Sequence, residues 1–350
     1  MRNNPAWKYR DREQTPHWGT YDAIVIGGGI TGAAAARTMA EQGARVALLE
    51  ATGTLGREVT RAYNGFVKLS DYVNKSASIA AFYSLLSERK GVFGDQIAAT
   101  VAGIAFDELL APYPVDVLFH VWPSRLLTNA GKAAGLQVSC RSGSALLDAP
   151  TVIDASAHGK IGKQWFTATP VERGTTSIQL LYNGVTGECP DEIVVSLPQA
   201  GKLRVKCRPT HWPQEWRVTL TANGRMIRAD WQLLLDEMVA VLRERIPPLQ
   251  SGVLAHMSDD VWGEPGLRIS TASADEQIAG YLIQTKGRAK STLSVPISRG
   301  ELCNPSVIDG LYVAGPWLER YPIDVNDEQS TIVNAFLLGD TVGRAAMHVK

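Results

Sequence analysis

Gly27, Gly29 and Gly32 stand in the spacing G-x-G-x-x-G within YDAIVIGGGITGAAAARTMAEQGARVALLE, residues 21–50. Such glycines can hold a dinucleotide's diphosphate. The first allows a tight turn, the second lets phosphate approach the backbone, and the third lets helix and strand pack closely. Gly28 and Thr31 lie between them, where a helix start turns unpaired N–H groups and the positive end of its dipole toward anionic oxygen. Glu50, about 20 residues on, is placed to bind ribose hydroxyls. The glycines alone would equally suit a turn in an ordinary βαβ unit. Strand, helix, second strand and terminal acid together predict dinucleotide binding. Arg57 and Thr60, in the loop marked by Gly53 and Gly56, are candidates for holding the cofactor at or beyond its diphosphate, although a solvated arginine fits the same place.

Other reactive side chains are scattered. Cys140, Cys189, Cys207 and Cys303 form no C-x-x-C, which argues against a redox disulfide, a zinc site or a secreted disulfide framework and for reduced thiols in a cytoplasmic protein. No metal site is expected. His120 sits on a strand as a structural residue, His158 is placed for a cofactor contact, and His211 and His256 have no evident partner. No general base is assigned.

These residues need elements to position them. A chain of 350 residues can bury a sizeable core in one large domain or two. Lysine plus arginine equals aspartate plus glutamate at 35 each, so no global field favours nucleic acid or an anionic membrane. The first 20 residues lack the apolar core of a signal peptide and read as an arm or strand-like extension. No run of 18 apolar residues predicts a membrane-spanning helix.

Asp22–Ile26 and Arg45–Leu49 read as buried parallel strands around an alanine-rich helix. Ser76–Lys90 and Phe93–Leu110 read as helices. Val115–Val121, Arg125–Asn129, Leu136–Cys140 and Ala145–Leu147 read as a strand and a β-meander, leading into Thr151–Ala155. From Gly159 to about Arg228 short alternating pieces predict an antiparallel sheet. Asp230 is the expected N-cap of a helix through Ile246, with Leu234, Leu235, Met238, Val241 and Leu242 as its apolar stripe. Leu311–Ala314 reads as another buried strand. Glu328–His348 reads as a long helix whose Ala335, Gly339, Gly343, Ala345 and Ala346 suit close packing on the sheet.

Three separated segments, GGGITG…LLE, TVIDASAHGKIG and GLYVAG with its following helix, together resemble the two-domain FAD-dependent oxidoreductases whose FAD domain is of the glutathione reductase and fumarate reductase flavoprotein type. Within that group TVIDASAHG, IAGYLIQT and VPISRGELCNPSVIDGLYVAG are similar, in order, to segments of a large "FAD dependent oxidoreductase" family. The resemblance covers roughly residues 20 to 160 and 270 to 350. It implies an α/β fold: a Rossmann-like FAD domain of parallel sheet plus β-meander, with an inserted antiparallel substrate domain. The expected division is an arm at 1–20, the FAD domain at 21–158 and 291–350, and the substrate or cap domain with one helix at 159–290.

The resemblance also implies roles. Gly27, Gly29 and Gly32 would hold the pyrophosphate, Glu50 the adenosine ribose, and Val121 the adenine through backbone groups. Ala155 and Ser156 would lie beside the ADP moiety, and Gly315 would pass the ribityl chain. The helix start at Ser330, Thr331 and Ile332 would face the flavin's pyrimidine edge, where a helix N-terminus stabilises the negative charge of reduced flavin. The loop after Gly315 makes Trp317, Arg320, Tyr321 and Asp324 substrate-facing candidates, with Arg299, since arginine can anchor a carboxylate. Each fits a surface or ion-paired residue as well. The family's arginine-rich segment is SADEQ here, Ser273 to Gln277, so the resemblance carries FAD but no substrate.

A second G-x-G-x-x-G unit is absent, which argues against a pyridine-nucleotide disulfide reductase. The leading expectation is an FAD-dependent dehydrogenase or oxidase acting on a small molecule, with electrons passed to oxygen or a redox partner protein. The alternatives are an FAD-dependent monooxygenase, and a flavoprotein subunit working with a separate catalytic partner.

Overall fold

The computed structural model describes residues 15–171, 174–263, 266–286, 291–318, 321 and 327–347. The runs AIVI, VALLE, TVID and LYV have no polar alternation, and both their faces are buried, as a central parallel strand requires. We number the main elements in chain order. β1 is His17–Thr20, β2 Ala23–Ile26, α1 Ile30–Glu41, β3 Val46–Glu50, α2 Arg57–Thr60, α3 Ala77–Glu88, α4 Ala99–Leu110 and β4 Val115–Phe119. β5 is Trp122–Asn129, β6 Lys132–Cys140, β7 Gly143–Asp148, β8 Thr151–Asp154, β9 Thr175–Asn183, β10 Glu192–Leu197, β11 Gly201–Pro209 and β12 Trp216–Asn223. α5 is Arg228–Leu233, α6 Leu235–Arg245, β13 Val253–Met257, β14 Ile278–Lys286, β15 Ser291–Ser298, β16 Leu311–Val313 and α7 Glu328–Met347.

The parallel sheet runs β16-β8-β2-β3-β4, so three pieces of chain far apart in sequence end side by side. The meander β5–β7 forms a second sheet, and β1 joins its edge parallel to β7. The expected α/β class holds, with a Rossmann-like sheet, a meander and a separate antiparallel sheet.

α7 differs from expectation in its partner. Its small residues meet α1 rather than the sheet: a Cβ on Gly339 would lie 2.4 Å from Thr31 O, and one on Gly343 3.0 Å from Ala35 O. Alanines 33–36 leave α1 slim enough for that approach. Asp340 of α7 is buried there and accepts from the hydroxyls of Thr38 (2.8 Å), Ser76 (2.6 Å) and Ser78. The helix expected from Phe93 begins at Ala99, because Val92–Phe93 and Gln96–Ile97 pair across a turn at Gly94, whose φ is +64°.

The second large sheet is antiparallel, in the order β10-β11-β12-β9-β13 with Trp262–Gly263 also on β9. One face, including Ile178, Leu180, Val205 and Leu220, packs with Trp231, Met238 and Leu242 into its own core. The expected single helix here is two, α5 and α6, interrupted at Leu234. Asp230 sits inside α5, its carboxylate accepting from Ile227 N (2.8 Å), and so caps from the third helical position. The hairpin β14–β15 straddles the expected boundary at residue 290. Its Leu282, Ile283 and Ile297 lie in the first core, and Asn334 of α7 both accepts from Ile283 N (2.7 Å) and donates to Ile283 O (2.8 Å). Among the described residues no helix is long and apolar enough to cross a membrane.

Candidate cofactor site

The carboxyl ends of β2, β3 and β8 open on one cleft, where Gly27, Gly29 and Thr31 face Glu50, Arg57, Val121, Ala155 and Ser156. Ligands of open α/β sheets bind outside the strands' carboxyl ends. The cleft holds a cavity of about 280 Å³ that opens to solvent. Gly27 has φ +97°, and a Cβ there would stand 2.7 Å from Ala155 O. On Gly32 a Cβ would fall 1.8 Å from Gly27 O, so only glycine brings α1 onto the turn. Asp154, at the end of β8, fastens the opposite wall. Its carboxylate accepts from Ser156 N (3.0 Å), Ile161 N (2.6 Å) and Gly162 N (2.8 Å), while burial pushes the group upward against those donors.

Two carboxylates already serve the cradle. Glu50 accepts from Gly28 N (2.7 Å) through one oxygen and from Thr52 N (2.7 Å) and Thr52 Oγ1 (2.8 Å) through the other. Glu58, on α2, reaches the start of α1 and accepts from Ile30 N (3.0 Å). Burial holds the Glu58 carboxyl above the usual carboxylate range, with Arg57 opposing. It therefore occupies an N–H group that the helix dipole offers to an anion. Arg57 Nε donates to Asp260 Oδ2 at 3.1 Å, and Arg61 Nε to the same oxygen at 3.2 Å. His158 and Lys160 also line the cleft, and burial followed by the Arg57 charge pushes the His158 imidazole down.

The remaining predicted residues are placed as follows. Thr60 turns its hydroxyl back to Leu55 O (2.8 Å) and Gly56 O (3.0 Å). Val121 lines the cleft, but its N–H is already given to Glu50 O at 3.1 Å. Gly315 is covered by the Trp317 indole, within 2.6 Å of where its Cβ would be, while Pro316 reaches the cleft. Trp317 is fully buried and donates through Nε1 to Ser156 O (2.8 Å). Tyr321 is buried near Glu58, and burial followed by that carboxylate pushes its phenol up. Arg299 lies by Arg344 and Ala345 at the far end of α7. Ser330, Thr331 and Ile332 form the first turn of α7, where Ser330 N donates to Asp327 Oδ1 (3.2 Å). Arg320 and Asp324 lie outside the described residues. Sequence reasoning missed Glu58, Lys160, Asp260 and Trp262. Glu58 stood in a marked loop, whereas Asp260 and Trp262 reach the cleft only through docking of the second sheet, which leaves no local signal.

The family model described as FAD dependent oxidoreductase matches residues 22–180. Among curated proteins the sequence finds no match. Solved structures share the fold. A geranylgeranyl bacteriochlorophyll reductase-like protein from Thermoplasma acidophilum is 16% identical with a TM-score of 0.58, over 95% of this chain and 79% of that one. A flavoprotein/dehydrogenase from Cytophaga hutchinsonii is 14% identical with a TM-score of 0.59, over 94% and 78%. The anhydrotetracycline hydroxylase of Streptomyces rimosus is 11% identical with a TM-score of 0.57, over 93% and 62%.

The protein is an FAD-dependent oxidoreductase, and FAD is its cofactor. The residues fit that group. Gly27, Gly29 and Thr31 line the cleft at the start of α1, and Glu50 lines it at the end of β3. One rearrangement is implied, because Glu58 holds an N–H that the diphosphate would use.

Proposed function

We propose that the protein is a dehydrogenase or oxidase that takes a hydride from a small organic molecule. When bound, FAD supplies the electron-accepting chemistry. Its diphosphate would lie on Gly27–Gly29 and the start of α1, its ribose on Glu50, and its adenine beside Val121. Ala155 and Ser156, fastened by Asp154 and Trp317, would wall the cleft from water. The antiparallel sheet serves in this reading as the substrate half, and oxygen or a redox protein takes the electrons.

The observation that carries the reading is the run Arg57–Asn64. Arg57 and Glu58 line the cofactor cleft, and Asn64 lines a second pocket on the polar face of the antiparallel sheet, next to Glu328 of α7. A substrate there would be within reach of a flavin extending from the cleft. The test is anaerobic mixing of the FAD-loaded chain with amines and hydroxy acids. Bleaching of the flavin by one of them, followed by hydrogen peroxide on admitting air, is expected. Bleaching only by a partner protein would favour a flavoprotein subunit.

A monooxygenase is the second reading, supported by sharing its fold with a hydroxylase. It requires that substrate accelerate NAD(P)H consumption and that labelled oxygen enter the product.

A further inference from the structure

Alternation along the antiparallel sheet sends one set of side chains to α5 and α6 and the other toward the parallel-sheet half. On β11 the second set is Arg204, Lys206 and Arg208, because Leu203, Val205 and Cys207 fill the core. With Asn64 and Glu328 these cations line a small pocket of about 30 Å³ that opens to solvent. The acid of that lining is engaged: Glu328 forms a doubly hydrogen-bonded pair with Arg217 and accepts from Phe66 N at 3.1 Å. Among the described residues neither Lys206 nor Arg208 has an ion-pair partner, and Arg208 lies over the Phe66 ring at 5.0 Å.

A second observation points the same way. Asn64 is 1% exposed, and its Oδ1 accepts from Gln179 Nε2 (3.2 Å), yet its Nδ2 finds no acceptor among the described residues. Buried donors are normally satisfied. The preceding residue, Tyr63, holds the left-handed φ of 55°, unusual for a bulky side chain, and its carbonyl is gripped by Arg217 at 2.8 Å. A strained turn thus presents an idle amide donor beside half-buried positive charge. An acceptor-rich, negatively charged group answers both.

We propose that this pocket binds an oxyanion, a carboxylate or phosphate, of the small molecule the enzyme oxidises. The assignment rests on the reading above that the substrate lies between the flavin and this sheet. Lys206 and Arg208 supply charge, and Asn64 fixes orientation through Nδ2. Arg217 is spent on Glu328, which lines the pocket.

The FAD-loaded full chain is titrated with succinate, with glycerol 3-phosphate and with uncharged glycerol, following the flavin spectrum and the thermal midpoint. Succinate or glycerol 3-phosphate should perturb both saturably, with glycerol silent. Whichever anion acts identifies carboxylate or phosphate. The double variant Lys206→Gln/Arg208→Gln should weaken binding by roughly tenfold or more, since a charge-assisted hydrogen bond is worth about a factor of ten. Asn64→Asp should abolish anion binding while FAD stays bound. Equal effects of glycerol and the anions, or undiminished anion binding in the double variant, would overturn the proposal with the oxidoreductase reading intact. If the chain is not reduced by any small molecule, that reading fails, and the thermal arm still reports on the anion pocket.

Discussion

Glu58 occupies the N–H group of Ile30, which a diphosphate lying on the start of α1 as proposed would need. Because burial raises the Glu58 carboxyl, its charged form is disfavoured in the fold. The associated stability is fully present below the unfolded carboxyl value of about 4.3 and is lost as pH rises through the folded one. A second negative charge raises that carboxyl further, so FAD binding should take up a proton. Affinity should tighten as pH falls, by up to about tenfold per pH unit near the Glu58 titration. Glu58→Gln should tighten FAD at pH about 8 and flatten that dependence, as fluorescence titration would reveal; unchanged slopes would contradict it. Gly32→Ala forces a methyl against Gly27 O and should cost roughly 1–3 kcal/mol of stability, with FAD affinity falling in the same titration. The glycines and Glu50 were legible because their chemistry is local: one turn, one helix start, one strand end. Glu58 was not, because a buried acid at a helix start looks in sequence like any loop acid. Trp317 read as substrate-facing since its loop passes the site, but nothing in its neighbours announces that the indole turns inward to Ser156 O.

At the scale of elements, α1, α3 and α7 are pinned by one buried carboxylate. Asp340→Ala would leave the hydroxyls of Thr38, Ser76 and Ser78 unpaired where water does not reach. A loss of about 3 kcal/mol is expected, seen as a lower denaturant midpoint at unchanged slope. Ser76 was expected at the edge of a helix and does cap α3, its Oγ accepting from Ile79 N at 3.0 Å. The short strands were legible for a similar reason, since unbroken apolar runs between glycines have few other uses. The break at Leu234 was not, because WQLLLDEMVAVLRERI keeps one stripe across it. The partner of α7 was also hidden. Small residues along a helix show that something comes close, and only the alanines of α1, about 300 residues earlier, show what.

Over the whole molecule, two cores are joined by polar contacts between distant stretches: Arg57 and Arg61 with Asp260, Gln179 with Asn64, and Arg217 with Glu328. Such pairs cannot be read from sequence, since either partner alone resembles an ordinary surface residue. Arg217 is 4% exposed at its side chain and Glu328 15%, so breaking the pair strands a buried charge. Arg217→Ala should cost about 3–5 kcal/mol, and Arg217→Ala/Glu328→Ala should recover part of it, measured by thermal unfolding. Equal losses in the single and double variants would show that the pair is not what joins the halves.

The central claim is that three distant pieces of chain meet along one flavin nucleotide capped by α1. Titrating the purified chain with FAD, while following its visible absorption and thermal midpoint, tests it most directly. One FAD per chain is expected, with about 2.7 kcal/mol of added stability at a hundredfold excess over Kd and weakened uptake in Gly32→Ala. A colourless chain that refuses FAD, with a midpoint the nucleotide does not move, would contradict the account.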